Sequence, residues 1–297
     1  MVNAGQKRKP LSKGKLSSKG KLQTWFVIGL LVVCTCMPLA SHAEQRTHEG
    51  PGWDTPEEAV LLYLEGLKEQ DMDKMISAYA VETLVDHFDL TAQLMRIRAY
   101  TMFMTPRVPN TSNLLRGINI EARRNEIVQS IFLQLNAICL PDMDFSAPTT
   151  FGGEDYAEEI AAFVEGLERG FGAVDFGTLK FLRFTPPELI SEMYASERNQ
   201  ENIQAQVAPF GADEARSVVA VFLVDGRFGT LTCDVARYGD RWFMFKPGGN
   251  IGAMIGLSAQ SAGMVAVPLK DVLLLRGELD GPAQEILDEI LGELMGF

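Results

Sequence analysis

One stretch in the last third of the chain constrains the fold more than any other part of the sequence. Ser217–Val224 is a nearly continuous apolar run, and the Asp225-Gly226 pair that follows it favours a two-residue β-hairpin turn. From Phe228 to Arg237 apolar and polar residues alternate, as they do in a strand with one buried face. A further turn then leads into Arg241–Phe245. The sequence therefore predicts a three-stranded antiparallel meander.

The segments before this meander have the patterns of helices, and the first has a clear start signal. Thr55 and Glu58 form a capping box, with Pro56 at the first helical position. Asp71 can cap a second, short helix. Further helices are predicted over residues 89–104, 113–138 and 154–169, a strand over Leu179–Phe184, and another helix after the capping box Thr185–Glu188. Together these elements predict an α+β fold, in which N-terminal helices pack on a curved antiparallel sheet with a helical insertion at about residues 90–210.

The C-terminal extension, residues 250–297, predicts one more strand near residues 265–275 and a final helix opened by Gly281-Pro282. The polar face of that helix is acidic, which argues against binding to anionic membrane surfaces. We expect the helix to dock on the protein's own core, and an oligomer or partner contact is the alternative. Its apolar stripe consists of Ile286, Leu287, Ile290, Leu291 and Leu294.

Residues 1–43 have the three parts of an export signal. A basic region precedes the apolar run Trp25–Ala40, and Ser41-His42-Ala43 places small residues where a signal peptidase recognises its substrate, so we expect cleavage after Ala43. An uncleaved anchor is the alternative, because the uncharged span from Leu22 to Ala43 is long enough to cross a bilayer. In both cases the rest of the protein is predicted to be extracytoplasmic, with a linker at residues 44–53 and the α+β domain at residues 54–249.

The charge of the chain is strongly asymmetric. The seven basic residues before Glu44 are the only charged residues there, so residues 44–297 carry a net charge of −19 although the whole chain carries −12. A surface of this sign repels phosphate backbones and excludes nucleic acid as a partner. Membrane contact is expected only through the N-terminal segment.

Few residues suggest chemistry. His87 is the one histidine after the linker, and a Cys–His nucleophile or a zinc site would need it together with Cys139 and Cys233. The two cysteines could pair outside the cytosol, and two buried unpaired thiols are the alternative. The segment Asp142–Ser146 begins like an EF-hand loop but lacks its glycine and its final acid, and Gly248–Gly252 lacks the Lys-Ser/Thr ending of a phosphate loop.

Arginines and carboxylates leave further alternatives open. The arginines form two patches, which we interpret as helix-surface ion pairs, with binding of an anion or of a ligand carboxylate as the alternative. Asp86 and Asp89 are among several carboxylates that could act as acid or base in a pocket. The patches consist of Arg96 and Arg98, and of Arg116, Arg123 and Arg124.

Two separated segments resemble one protein family. Residues 55–79, with Thr55–Val60, Tyr63-Leu64, Leu67, Asp71-Met72 and Tyr79, resemble the opening helices of exported members of the nuclear-transport-factor-like superfamily, which includes the ketosteroid-isomerase-like proteins. Residues 217–245 are similar to that family's last strands, where a turn leads into an inward tryptophan, here Trp242. The resemblance implies a cone-like sheet wrapped around helices, with a cavity for a small apolar ligand. It assigns no catalytic residue to any position of this chain.

Three functions follow from these patterns. The first is a non-catalytic exported domain that binds a small ligand, an envelope component or another protein, because histidine, cysteine and nucleotide motifs are nearly absent. The second is an isomerase- or dehydratase-like enzyme that uses a pocket carboxylate with a tyrosine. The third is an assembly protein that uses the C-terminal helix or a sheet edge. The sequence assigns no catalytic, cofactor-binding or metal-binding residue.

Overall fold

The computed structural model describes residues 47–98, 107–140, 149–187, 196–247 and 263–268, with the single positions 272, 284, 288, 289 and 292. These residues belong to one compact unit that begins at Thr47. The helices are α1 (Pro56–Glu69), α2 (Met72–Ser77), α3 (Glu82–Asp86), α4 (Leu90–Ile97), α5 (Asn113–Cys139), α6 (Tyr156–Gly172) and α7 (Glu197–Val207). The strands are β1 (Lys180–Thr185), β2 (Glu214–Val224), β3 (Arg227–Tyr238), β4 (Arg241–Pro247) and β5 (Met264–Pro268).

The helices begin where side-chain acceptors are available for their first amide groups. The predicted capping box is confirmed, because the Glu58 N–H donates to Thr55 Oγ1 and the Thr55 N–H donates to Glu58 Oε2, both at 3.2 Å. Asp71 caps α2 by accepting from the Lys74 N–H at 3.0 Å, as the sequence predicts. Asp89 caps α4 in the same way. That helix ends at Ile97, and residues 99–104 of the predicted helix lie outside the described residues.

The five strands form one antiparallel sheet in the order β1-β2-β3-β4, and β5 pairs with β3 beside β4. The predicted meander is confirmed as β2, β3 and β4. Asp225 and Gly226 have φ values of 46° and 70°, the left-handed backbone of a type I′ turn. The predicted strand near residues 265–275 begins one residue earlier and ends at Pro268, and Val272 is helical.

The core lies between α1 and one face of the sheet. Tyr63 of α1 meets Tyr79 edge to face at 5.9 Å and donates its hydroxyl hydrogen to Gln134 of α5. Across from them, Phe222, Leu231 and Met244 are fully buried. Side chains of the protein therefore fill this part of the sheet face.

Arg123 of α5 connects the helices to the sheet. Its guanidinium is buried, donates to the backbone carbonyls of Ala80 and Phe245, and pairs with Glu126. Because each carbonyl belongs to a different part of the fold, this one side chain fixes α5 against both β4 and the segment between α2 and α3. The molecule is thus an α+β protein with N-terminal helices packed on a curled antiparallel sheet.

Two predicted segments lie wholly or partly outside the described residues. Residues 1–46 lie outside the described residues, and within the described part no helix is long and apolar enough to cross a bilayer. The five residues of the predicted C-terminal stripe also lie outside it, whereas Gln284, Asp288 and Glu289 are helical. Glu289 pairs with Arg183 of β1 at 2.5 Å.

Candidate functional site

Helix α6 has a wider apolar face than the described part of the chain covers. Phe163, Leu167 and Phe171 form an inner stripe that is half-buried. A second stripe, Tyr156, Ile160 and Val164, has relative exposures of 57%, 39% and 43%. The spacing of four residues places this outer stripe on one side of the helix, next to the inner one.

Aromatic contacts in the middle and at the C-terminal end of α6 hold the helix in place and enlarge its apolar surface. Phe171 stacks on Phe132 of α5 with ring centroids 6.3 Å apart, and Phe163 meets Phe151 edge to face at 5.4 Å. Both partners remain exposed, by 55% for Phe132 and 36% for Phe151. We call the five exposed residues Phe132, Phe151, Tyr156, Ile160 and Val164 the α6 surface.

The rim of the α6 surface is acidic. Between Glu154 and Gly172 the chain has six acidic residues and one basic residue, Arg169. Arg169 is already paired with Glu165 at 2.8 Å, so it does not neutralise the other carboxylates of the helix. A contiguous apolar surface with a polar rim is typical of a site that binds another macromolecule, whereas single exposed apolar residues are ordinary. This geometry supports binding of another macromolecule.

A second polar feature lies within the sheet, where Ser217 and Asp234 face each other across β2 and β3. The Ser217 hydroxyl donates to Asp234 Oδ1 at 2.7 Å, and Lys246 Nζ lies 3.5 Å from Oδ2. Burial raises the pKa of the Asp234 carboxyl, and Lys246 and Ser217 act in the opposite direction. The carboxyl is thus held by its own neighbours. The alternation of β3 already places it on the polar face, but the sequence does not show that this face is buried.

The carboxylates that the sequence singles out have structural partners. Asp86 accepts from Arg116 Nε at 2.6 Å, and Asp89 accepts from the Thr91 and Ala92 amides at the start of α4. They do not converge on a common pocket with Asp234. A groove of about 560 Å³ lies beside α7, and among the described residues that line it Glu201 is the one ionisable group. The lining consists of Gln200, Glu201, Gln204, Ala205, Ala208 and Ala215.

His87 and the two cysteines are distributed over different parts of the fold. His87 Nδ1 lies 2.8 Å from the Thr83 carbonyl oxygen. The His87 ring packs against the Tyr238 ring, with the two centroids 5.5 Å apart. Cys139 and Cys233 are both buried and free, so the alternative of two unpaired thiols is confirmed. Burial raises the pKa of Cys139 to about 11. Within the described part of the chain, no group of three or more His, Cys, Asp or Glu side chains is placed to hold a metal ion.

The arginine patches have different environments. Arg96 and Arg98 are exposed at the end of α4, and Arg116 forms the expected helix-surface ion pair. Arg123 departs from that interpretation, because it is buried and bound to backbone carbonyls. Its burial was not visible in the sequence, since an arginine in a helix with mixed polarity is usually exposed. The glycine-rich run Gly248–Gly252 and the segment Asp142–Ser146 lie outside the described residues.

The fold belongs to the α+β class, with helices packed against an antiparallel sheet. No protein-family model and no curated protein matches the chain. Among solved structures, the chain is similar to a cystatin-like protein from Ruminococcus gnavus ATCC 29149, with a TM-score of 0.34 and 14% sequence identity. The similarity covers 64% of this chain and 39% of the other protein's chain.

Proposed function

We propose that this protein is an extracytoplasmic, non-catalytic binding domain that holds a protein partner against the α6 surface. The observation that carries the proposal is the outer stripe of α6, three apolar side chains at helical spacing that remain exposed. Burying such a stripe stabilises a complex by about 25 cal/mol for each Å² of apolar surface removed from water.

The chemistry of the rim selects the occupant. An apolar helix face flanked by carboxylates is complementary to an amphipathic helix flanked by lysine or arginine, a common mode of helix recognition. A second copy of this chain would bring the same acidic rims together, and their repulsion opposes self-association. Anionic lipid is disfavoured for the same reason. The proposed partner is therefore a protein with a basic amphipathic helix.

A model peptide of leucine and lysine tests this occupant. One version places the leucines on a single helix face, and a scrambled version keeps the composition and charge but has no apolar face. We expect the purified protein to bind the amphipathic version at least about tenfold more tightly, a difference of about 1.4 kcal/mol, because only that version buries the stripe. Fluorescence anisotropy of labelled peptides measures both affinities.

Val164→Asp is the matched variant for this experiment, since it places a charge at the end of the outer stripe without altering the core. It should abolish the preference for the amphipathic peptide and leave binding of the scrambled peptide weak. Equal binding of both peptides, or a preference that survives Val164→Asp, would mean that the α6 surface is not the site.

We also propose export through residues 1–43. The sequence order of basic, apolar and small residues supports it, as does the net charge of −19 on the remaining chain. Mass spectrometry of the protein in separate cell fractions tests both its location and the cleavage. A chain that starts at Glu44 in an extracytoplasmic fraction is the expected result, whereas an intact chain in the cytosol would contradict export.

We further propose that the protein is a divergent member of the nuclear-transport-factor-like superfamily. Its support is the pair of segments at residues 55–79 and 217–245, together with a Trp242 side chain that is buried after the turn at Gly239. An experimental structure that includes the residues outside the described ranges tests it. A sheet that does not close around α1 in that structure would contradict membership.

A further inference from the structure

Two arginines share one carboxylate beside the end of β3. Arg107 Nη2 lies 2.5 Å from Glu126 Oε2, and Arg123 Nη1 lies 3.2 Å from the same oxygen. The exposures of the two arginine side chains are only 13% and 7%. One carboxylate neutralises one guanidinium, so this cluster retains a positive charge with little access to water, in a protein whose surface is acidic.

The spare hydrogen-bonding capacity lies on Arg107. Arg123 uses its three nitrogens for Ala80, Phe245 and Glu126. Arg107 Nε, in contrast, is buried without a hydrogen-bond partner in the described part of the chain. A buried donor that lacks a partner is destabilising, and a ligand acceptor would remove that cost.

A second donor without a partner lies nearby. The Tyr238 hydroxyl is buried, and no described group bonds to it. Burial raises the pKa of Tyr238 far above its ordinary value, and the charges of Arg123 and Arg107 lower it in part, so the hydroxyl keeps its proton as a donor. Glu49 also acts on Tyr238, but its carboxylate is already bound by the Val81 and Thr83 amides and by the Thr83 hydroxyl.

The surroundings are rigid and aromatic. Arg107 lies 4.7 Å over the ring of Phe210, which in turn contacts Phe88 and Phe245. The residue after Arg107 is tied to α5, because the Val108 N–H donates to Asn119 Oδ1 at 3.1 Å and Asn119 Nδ2 donates back to the Val108 carbonyl at 2.6 Å. The cluster therefore combines fixed cationic and hydroxyl donors with an apolar wall.

We propose that Arg107 and Tyr238 bind the carboxylate of a small organic monoanion whose apolar body contacts Phe210. A guanidinium presents its N–H groups in the planar arrangement that a carboxylate accepts, and a single negative charge matches the single excess positive charge. This site is separate from the α6 surface, and its test is independent of the proposed protein partner.

Benzoate and benzamide are suitable probes, since they share shape and aromatic body but only benzoate carries the charge. We expect isothermal titration at constant ionic strength to detect benzoate and not benzamide. Arg107→Gln should weaken benzoate binding at least about tenfold, and Tyr238→Phe should weaken it several-fold while leaving the fold intact. Arg116→Gln, which removes a partly exposed arginine bound to Asp86, is the matched control and should leave benzoate binding unchanged.

Three results would overturn the proposal. Benzamide could bind as tightly as benzoate, inorganic phosphate could compete equally well at the same ionic strength, or Arg107→Gln could retain full affinity. Circular dichroism of each variant separates a loss of binding from a loss of folding. If Arg107→Gln fails to fold, Tyr238→Phe tests the proposal instead. Unchanged benzoate affinity in that variant would show that the Tyr238 hydroxyl does not bind the carboxylate, which contradicts the proposal.

Discussion

At the scale of single residues, the turn between β2 and β3 sets the register of the sheet. Asp225 and Gly226 both have positive φ, and the turn places Val224 directly opposite Arg227. Aspartate tolerates the left-handed region moderately well and glycine tolerates it without penalty. A change at Gly226 therefore tests backbone conformation alone, because a Cβ built there would have no neighbour within 4 Å.

Gly226→Ala should lower the free energy of unfolding by about 1–2 kcal/mol, the usual cost of a left-handed alanine. Urea denaturation followed by circular dichroism measures it. Gly117→Ala is the matched control, since Gly117 also has open space but lies inside helix α5. There alanine should raise the free energy of unfolding by up to about 1 kcal/mol. If both variants shift stability in the same direction, the backbone interpretation of the turn is wrong.

Asp234 gives a pH-dependent prediction. Because burial raises the pKa of its carboxyl in the folded protein, the folded state binds the proton more tightly than the unfolded state does. The contribution of Asp234 to stability is therefore largest in acid and is lost as the pH rises from the unfolded-state pKa through the folded-state pKa. Asp234→Asn removes this titration and keeps an acceptor for Ser217.

We expect the stability of Asp234→Asn relative to the natural protein to increase as the pH rises from acidic to neutral values. Chemical denaturation of both proteins at a series of pH values measures the difference. A difference that stays constant with pH would show that Asp234 does not titrate differently in the folded and unfolded states.

At the scale of elements, the packing of α6 depends on a close approach to the end of α5. A Cβ at Gly170 would lie 2.1 Å from Leu140 Cδ2 and 3.3 Å from the Cys139 carbonyl oxygen. Gly166, one turn earlier in the same helix, has nothing within 4 Å of such an atom. The two glycines thus separate helix propensity from tertiary contact.

Gly166→Ala should raise the free energy of unfolding by about 0.8–1 kcal/mol, because alanine favours the helix. Gly170→Ala should give none of this gain, since the added methyl displaces Leu140. Thermal and urea denaturation of both variants test the contact. An equal gain in the two variants would mean that α6 does not pack against Leu140.

Elements specified by local chemistry could be predicted from the sequence. The capping box at Thr55 and the type I′ turn at Gly226 each depend on residues within three positions of one another, so their signals are complete in the sequence. The partner of β5 is different, because pairing with β3 beside β4 depends on register and tertiary packing. The pattern near residues 265–275 therefore predicted a strand but neither its partner nor its end at Pro268.

The candidate site shows the same division. The sequence predicts a helix over residues 154–169, but it cannot show that Phe171 stacks on Phe132 of α5 while Tyr156, Ile160 and Val164 stay exposed. It also cannot show that Arg107 and Arg123 meet at one carboxylate, because that contact brings the segment before α5 against the helix itself.

At the scale of the whole molecule, charge and apolar surface act together. Residues 44–297 carry a net charge of −19, and charge of one sign opposes the close approach of two copies. The α6 surface is an apolar region within that acidic surface. A partner with a basic amphipathic helix gains from both properties, through steering by charge and through burial of the stripe.

Site-specific photo-crosslinking in the host cell tests this account most directly. A photoreactive amino acid replaces Ile160 in the full chain, and a matched variant carries it at Lys68, an exposed polar position on α1. We predict an adduct from position 160 alone, with a protein whose crosslinked segment is an amphipathic helix flanked by lysine or arginine, and its loss when Val164→Asp is added. No adduct beyond that seen at position 68, or an adduct only with a second copy of this chain or with lipid, would contradict the account.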